Sequence, residues 1–301
     1  MSKGTRTREI NARQAKVAAM QAAEAKRKQR LVVSLTAIGV VLVIIVVLVV
    51  TALVTGGSGG GPASTSAADP VIKGVTSVSG STFDKVGVGS AQAAPRAIKG
   101  APLTEGGKPK VLYVGAEYCP YCAAERWAVV AAMSRFGTFN NLGQTHSSSV
   151  DVYPSTPTLS FHGATYDSKY LAFNGYELQS NQRQGSGYAP LDHPPAADQK
   201  IFQTYDAAPY VPAQSQGSIP FIDLGGKYMI SGASYNPGDL QGMTHQQVAD
   251  ALSDPSSKVA QSVDGTANLI TASLCKLTNN QPGNVCSSSG VKAAAAKLPA
   301  S

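Results

Sequence analysis

The stretch that decides the fold is VLYVGAEYCPYC, residues 111–122, in which an apolar run leads into two cysteines separated by two residues. The run 111–114 has the composition of a buried strand, and the small and apolar residues from Ala123 to Phe136 are typical of a helix. The cysteines therefore lie where a strand gives way to a helix. Unpaired amide groups and the positive end of the helix dipole stabilise a thiolate there, so we expect the pKa of Cys119 to lie below that of a free thiol.

The residues inside the motif favour a division of roles between the two sulfurs. Pro120 fits the first helical turn because its missing N–H costs nothing at that position. Cys122 follows one turn later on the same side of the helix and is expected to be more buried than Cys119. The spacing predicts that Cys119 attacks a substrate and forms a mixed disulfide, which Cys122 then resolves.

The same C-x-x-C spacing also occurs in half of a tetrahedral zinc site and in inert structural disulfides. A zinc site needs two further ligands, but the other cysteines, Cys275 and Cys286, are separated by ten residues and the four histidines are scattered. We therefore expect no metal ion and no cofactor. A permanent disulfide between Cys119 and Cys122 remains an alternative.

A second segment, GSIPFIDLGGK at 217–227, places a proline after a β-branched residue at the head of a strand that ends in a glycine turn. Together with the dithiol, this segment resembles the thioredoxin superfamily, whose members hold a cis-proline opposite the active-site cysteines. The resemblance assigns that role to Pro220, preceded by Ile219. Proline is otherwise disfavoured in central strands, although an ordinary trans proline at a strand start is the alternative.

The residues before and inside the motif carry the resemblance further. Glu117 and Tyr118 precede Cys119 as an acid and an aromatic residue do in thioredoxins, and the Pro120-Tyr121 dipeptide is the glutaredoxin choice. One departure is Tyr113, which stands where many thioredoxins have a buried aspartate that accepts a proton from the resolving thiol. Two carboxylates near the motif could replace that aspartate, but we expect both to be solvated surface groups; they are Glu117 and Glu125.

The resemblance implies an α/β, thioredoxin-like fold with a long insertion between the C-x-x-C helix and the cis-proline strand. The family needs only one helix, one strand and one further helix there, whereas 97 residues separate Cys122 from Pro220 in this chain. We expect the insertion, 137–217, to contain mainly strands and loops, because 158–161 and 170–173 alternate like strands. Over roughly 70–287 the chain is similar to a group of membrane-anchored prokaryotic proteins with a thioredoxin-like domain.

The N-terminal part of the sequence predicts membrane anchoring. Residues 31–54 form an uncharged, Val-, Leu- and Ile-rich run that is long enough to span a bilayer, so one transmembrane helix is expected. The tail 1–30 carries nine basic and two acidic residues, which favours a cytoplasmic N-terminus and an exported main domain. A flexible Gly/Ser linker is predicted at 55–69. A cleaved signal peptide is the alternative, but the run is longer than is usual for one.

The basic balance of the chain comes entirely from this tail. The whole sequence has 25 basic and 18 acidic residues, so the part after residue 30 has 16 of each and is formally neutral. Nucleic-acid binding therefore has no support, and the tail is expected to contact the lipid bilayer.

The C-terminal part carries the second cysteine pair. Two helices are predicted, one opened by a capping box at Thr244 and one over 257–277 with a break at Gly265. In an exported domain the default for Cys275 and Cys286 is a structural disulfide, although a relay of electrons to the first pair is a sharper alternative that requires the two pairs to be close. Residues 288–301 are expected to form a flexible tail.

The sequence thus predicts a single-pass protein of the plasma membrane and cell envelope, with an extracytoplasmic thiol–disulfide oxidoreductase domain acting as an oxidase or isomerase. Its expected partners are exported proteins with thiols or disulfides, and a membrane redox partner is an additional candidate. The alternative from another class is a non-catalytic, membrane-tethered binding module with structural disulfides.

Overall fold

The computed structural model describes residues 69–299 and gives them a mixed α/β architecture. The helices are α1 Pro70–Thr76, α2 Gly80–Val86, α3 Pro120–Met133, α4 Ala196–Tyr205, α5 His245–Ala251, α6 Lys258–Leu277, α7 Gly283–Cys286 and α8 Ser289–Ala295. The strands are β1 Arg96–Ala97, β2 Thr104–Glu105, β3 Lys108–Gly115, β4 Thr138–Asn140, β5 Gly143–His146, β6 Pro157–Ser160, β7 Thr165–Asp167, β8 Ala172–Glu177, β9 Gln179–Gln184, β10 Gly187–Pro190, β11 Phe221–Leu224 and β12 Tyr228–Ser231.

Strand β3 is the centre of the main sheet. It pairs in parallel with β8 and antiparallel with β11, and β12 and β1 extend the sheet beyond β11. The short β2 also pairs with β3. The apolar run of β3 is buried on both faces of the sheet, as a central strand requires. The α/β class expected from the sequence is confirmed.

The two faces of β3 contribute to two apolar clusters. Val111 and Tyr113 belong to the larger cluster, which includes side chains of α3 and α6, while Leu112 and Val114 belong to a smaller cluster that α4 covers. This alternation follows from the two-residue period of a strand. The sheet is therefore sandwiched between α3 and α6 on one face and α4 on the other.

The predicted insertion, 137–217, consists mainly of short strands and loops, as expected, and also contains α4. Between α3 and β8, β4 pairs with β7 and β5 with β6; between β8 and α4, β9 pairs with β10. The strand-like patterns at 158–161 and 170–173 correspond to β6 and the start of β8. β8 itself belongs to the central sheet, so the additional strands form two groups along the chain, one before β8 and one after it.

The C-terminal helices match the sequence in part. Thr244 and Gln247 form the capping box of α5, and α6 begins after its N-cap Ser257. The expected break at Gly265 is wrong, because α6 continues through it. A Cβ there would lie 2.5 Å from the carbonyl oxygen of Val88, so glycine allows the segment after α2 to approach the helix closely.

The flexible tail expected at 288–301 is also wrong over much of its length. Residues Ser289–Ala295 form α8, and its Val291 and Ala294 are buried in the larger cluster. Val291 and Ala294 are three residues apart and therefore lie on one face of α8, which packs on the cluster. The disulfide of the neighbouring Cys286 ties the segment to α6. This segment therefore contributes to the core.

The predicted transmembrane segment 31–54 and tail 1–30 lie outside the described residues, as does nearly all of the linker. Among residues 69–299, no helix combines the length and the apolar character needed to cross a bilayer.

Candidate functional site

The Cys119 and Cys122 side chains meet at the N-terminus of α3. Cys119 is the N-cap of the helix, and its Sγ accepts a hydrogen bond from the backbone N–H of Cys122 at 3.4 Å. Pro120 occupies the first helical turn, as the sequence predicts. Both cysteines are free thiols, with 6% of Cys119 and none of Cys122 exposed. Cys119 therefore keeps a small exposed surface, and Cys122, one helical turn further on, has none.

The two thiols differ in pKa, and the causes are local. A hydrogen bond from the Cys122 side chain lowers the pKa of Cys119, aided by backbone N–H groups and by the charge of Arg126, while burial opposes the shift. Burial raises the pKa of Cys122 well above its usual value, and its interaction with Cys119 adds to the rise. Cys119 is thus the better nucleophile at neutral pH, because the thiolate is the reactive form.

The Ile219–Pro220 segment faces the dithiol. The peptide bond between them is cis, so the trans alternative is wrong. The carbonyl oxygen of Ile219 lies 3.7 Å from the Sγ of Cys119 and accepts from the thiol when that is protonated. Pro220 immediately precedes β11, whose Phe221 pairs with Val114 at the end of β3. The sheet register therefore brings two segments, a hundred residues apart in the chain, to one point.

An ion pair is buried beneath the thiols. The guanidinium of Arg126 donates to both carboxylate oxygens of Glu177, at 2.7 and 2.6 Å, and both side chains have no exposed surface. Arg126 also donates to the carbonyl oxygen of Ala116 at 2.7 Å and lies over the ring of Tyr113 at 5.9 Å. The hydroxyl of Tyr113 is buried and has no hydrogen-bond partner among residues 69–299.

The carboxylates expected to be solvated are placed differently from each other. Glu117 is partly buried and accepts a hydrogen bond from Ser160 at 2.6 Å. Glu125 is fully buried, so its expected surface position is wrong: its carboxylate accepts from the backbone N–H and hydroxyl of Ser234, after β12. Burial raises the pKa of Glu125 to about 7. The helix turns this side chain away from solvent and toward the β12 loop.

Two tyrosine pairs involve residues next to Cys119. Tyr118 stacks on Tyr188 of β10 with centroids 4.2 Å apart, and Tyr121 meets Tyr153 edge to face at 6.0 Å. Tyr153 belongs to the loop 147–156 between β5 and β6. The insertion thus supplies two of the four side chains beside the dithiol.

The 147–156 loop also carries exposed apolar surface. Among residues 69–299, the large hydrophobic side chains that are exposed are Tyr121 at 41%, Val150 at 73% and Val152 at 66%. The loop is fastened to the motif, because the N–H of Ser148 donates to the carbonyl oxygen of Tyr118 at 2.8 Å. This hydrogen bond joins the loop that carries Val150 and Val152 to the residue before Cys119.

The second cysteine pair forms the predicted disulfide between Cys275 and Cys286. Arg135, just beyond the C-terminus of α3, hydrogen-bonds Thr271, one turn before Cys275 on α6. Since α3 is about 20 Å long, this places the disulfide toward the opposite end of the helix from Cys119. Direct thiol exchange needs sulfurs in contact, so this placement argues against a relay between the two pairs.

The sequence interpretation missed Arg126, Glu177 and the 147–156 loop. A signal for Arg126 was present, because Glu125 and Arg126 interrupt an otherwise apolar helix one turn after Cys122. Glu177 could not be paired with it from sequence, since 51 residues separate them. As for metals, the described part of the chain holds no cluster of three or more His, Cys, Asp or Glu side chains suited to an ion.

Comparison with known proteins gives one match. No curated protein and no solved structure matches the chain. The family model described as a domain of unknown function, DUF929, matches residues 95–276, which include both segments of the dithiol site and all six strands of the central sheet. Because this match covers more than half of the sequence, the chain belongs to the DUF929 family.

Proposed function

We propose that the protein is a thiol–disulfide oxidoreductase that acts on polypeptides through Cys119 and Cys122. The observation that carries the proposal is the arrangement of a reachable thiol at a helix N-terminus, with a second, buried thiol one turn behind it. A helix N-cap supplies N–H groups to a thiolate, and a buried second thiol is suited to resolve a mixed disulfide.

The order of elements supports the proposed thioredoxin-like fold. The resemblance implies one helix, one strand and one further helix between the dithiol and the proline, and α3, β8 and α4 supply these in order. β8 is parallel to β3, and β11, which follows Pro220, is antiparallel to it. The strands β4–β7 and the β9–β10 pair are then the additions to this core.

The proposed reaction has two exchange steps. When the protein acts as an oxidase, a substrate thiolate attacks Cys119 of the Cys119–Cys122 disulfide, and the sulfur of Cys122 leaves and takes up a proton. A second substrate thiolate then attacks the substrate sulfur of the mixed disulfide and releases Cys119 as a thiolate. The substrate loses two electrons and the protein gains them; the reverse sequence reduces a substrate disulfide.

The surroundings of Cys119 favour a polypeptide over a small thiol as the substrate. The carbonyl of Ile219 lies beside the sulfur and can pair with the backbone of an extended substrate. Tyr121, Val150 and Val152 then offer apolar surface to neighbouring substrate side chains. The 147–156 loop is preorganised for this contact, since Thr156 and Ser147 both hydrogen-bond the carbonyl of Tyr153 within it.

The proposed setting is the outer side of the plasma membrane. The apolar run at 31–54 and the basic tail before it support anchoring with the N-terminus in the cytoplasm. An exported oxidase must be reoxidised, and a membrane protein that accepts electrons from the Cys119–Cys122 dithiol is the partner this requires.

Trapping of the mixed disulfide tests the proposal. The full-length Cys122→Ser protein is incubated with an unfolded protein that contains one disulfide, and products are separated without reductant. We expect a covalent adduct through Cys119, because no resolving thiol remains. The matched Cys119→Ser protein should form none. If neither variant forms an adduct, the catalytic proposal fails and the binding module with inert cysteines takes its place.

A further inference from the structure

Arg126 and Glu177 are opposite charges held in the interior of the protein. Neither side chain has exposed surface, and the two form a bidentate ion pair with N···O distances of 2.7 and 2.6 Å. Replacing such a buried pair by apolar side chains of similar volume often leaves stability unchanged or raises it. Stability alone therefore does not account for this pair.

The pair lies directly under the dithiol. Arg126 follows Cys122 by four residues on α3, so the two side chains share a helix face. The guanidinium also donates to the carbonyl oxygen of Ala116, in the segment that joins β3 to Cys119. Glu177 is the last residue of β8, and in the sheet register it lies opposite Gly115. Both charges are thus fixed by the same elements that fix the sulfurs.

Arg126 acts on both sulfurs, and at Cys122 the two charges act in opposite directions. The positive charge of Arg126 lowers the pKa of Cys119, after the larger effect of the Cys122 hydrogen bond. The pKa of Cys122 is raised mainly by burial; Arg126 opposes that rise and Glu177 adds to it. Opposite charges in a water-free interior interact strongly, because no solvent screens them.

Other titratable groups also surround the thiols and the pair. Tyr113 on β3 and Tyr118 in the segment before the motif face the sulfurs, and burial raises the pKa of both hydroxyls, which keeps them neutral. Glu117 faces Glu177 and raises its pKa, which burial raises most and Arg126 opposes. The remaining carboxyl on this part of α3, that of Glu125, accepts hydrogen bonds from Ser234.

We propose that Arg126 and Glu177 are positioning residues that set the balance between the dithiol and the disulfide at Cys119 and Cys122. Arg126 stabilises the thiolates, and Glu177 limits that stabilisation by neutralising most of the guanidinium charge. This inference rests on the function proposed above and concerns how the site is tuned. It predicts that removing the negative charge alone makes the site a stronger oxidant.

Two variants separate the charge of the pair from its structural role. Glu177→Gln keeps the size and shape of the side chain but leaves the guanidinium uncompensated. The matched variant, Arg126→Met in the Glu177→Gln background, removes the remaining charge. Both variants lack the native ion pair, so any structural effect of its loss is shared; they differ in the charge of Arg126 and in its hydrogen bond to Ala116.

The readout is the pH dependence of iodoacetamide alkylation at Cys119 in the full-length protein, followed by mass spectrometry of the peptide. We expect the midpoint for Glu177→Gln to fall by about one pH unit relative to the wild type. In the double variant the midpoint should rise again to at least the wild-type value. In glutathione buffer, the ratio of reduced to oxidised dithiol should increase about tenfold in Glu177→Gln only, since thiolate stabilisation favours the reduced form.

The outcomes separate this inference from the proposed function. If the wild type exchanges disulfides but the two variants share one alkylation midpoint and one redox ratio, the charges do not tune the site and the inference is overturned. Shifts of both variants in the same direction would also overturn it, because they would report structural damage. A wild type that does not exchange at all contradicts the proposed function itself, and the inference falls with it.

Discussion

The two cysteine pairs of this chain have the same composition and opposite surroundings. Cys119 and Cys122 are free thiols at the start of α3, beside exposed apolar side chains and above a buried ion pair. Cys275 and Cys286 form a disulfide between α6 and α7, buried in the large apolar cluster. What a pair of cysteines can do is therefore set by the groups placed around the sulfurs.

Loop closure adds to this contrast. The sulfurs of the C-terminal pair join residues eleven apart and tie α7 to the end of α6. The first pair spans a single helical turn, which its own backbone hydrogen bonds already hold. A bond between Cys119 and Cys122 would restrict the unfolded chain little, while the bond at the other end restricts it more. The first pair is thus suited to exchange and the second to stabilisation.

The largest expected effect comes from removing cysteines of one pair or of the other by mutation and comparing the rates of disulfide exchange. Cys119→Ser should lower the rate of disulfide exchange with an unfolded protein by at least about a thousandfold, because the activated nucleophile is lost. The double variant Cys275→Ser/Cys286→Ser should keep most of the wild-type rate at a temperature where it is folded. A stopped-flow or gel assay of substrate thiols measures both. Loss of exchange in the double variant alone would break the comparison.

Stability should show the reverse pattern. Cys275→Ser/Cys286→Ser is expected to lower the free energy of unfolding by about 3 kcal/mol, the value for a loop of this size. Urea denaturation followed by circular dichroism measures it. The control is Cys119→Ser/Cys122→Ser, which should change the free energy of unfolding by much less than the other pair. Equal losses in the two double variants would mean that both pairs are structural.

A buried carboxyl lies on α6, the helix that carries Cys275, and makes the stability of the protein depend on pH. Burial raises the pKa of Asp264 to about 8, and within the described part of the chain neither of its carboxylate oxygens has a hydrogen-bond partner. The folded protein keeps this proton up to about pH 8, whereas the unfolded chain releases it near the ordinary value of 3.8. Folding therefore becomes less favourable as the pH rises between those two values.

Asp264→Asn should remove that pH dependence. We expect the stability of the variant relative to the wild type to increase by about 4 kcal/mol between pH 5 and pH 8, because over that range the unfolded wild-type chain has released the proton while the folded state keeps it. Urea titrations at the two pH values measure the difference. The exchange rate at Cys119 should stay unchanged. A stability gap that is the same at both pH values would contradict the assignment of this carboxyl.

The smallest effect is expected at the exposed apolar residues. Val150→Ser/Val152→Ser should slow exchange with an unfolded protein by about fivefold, since each valine loses on the order of 1 kcal/mol of apolar contact or less. Exchange with glutathione serves as the matched control and should not change, because that small thiol does not need the 147–156 loop. Equal slowing with both substrates would show that the loop acts on the thiols and not on the substrate.

The sequence predicts those parts of the fold that depend on neighbouring residues. The helix after Cys119, the strand after Pro220 and the capping box at Thr244 all have local signals, and each is present. The disulfide between Cys275 and Cys286 is predicted from the cysteine count and the expected export of the domain, and it is present. These features need no knowledge of how distant segments meet.

The features that the sequence did not predict depend on distant contacts. Glu125 looked like a surface carboxylate, and its burial depends on Ser234, which lies 109 residues away. The partner of Arg126 is likewise remote, and the docking of α8 depends on the apolar surface of α6. The α/β class could be predicted from sequence; the charges that surround the thiols could not.

The most direct test compares both cysteine pairs in one experiment. The full-length protein is equilibrated in glutathione buffers of graded potential, thiols are alkylated, and each pair is quantified by its mass shift. We predict a midpoint above about −230 mV for Cys119–Cys122, while Cys275–Cys286 stays oxidised below about −300 mV. If the Cys119–Cys122 pair also stays oxidised below about −300 mV, it is a structural disulfide and the proposed redox function is contradicted.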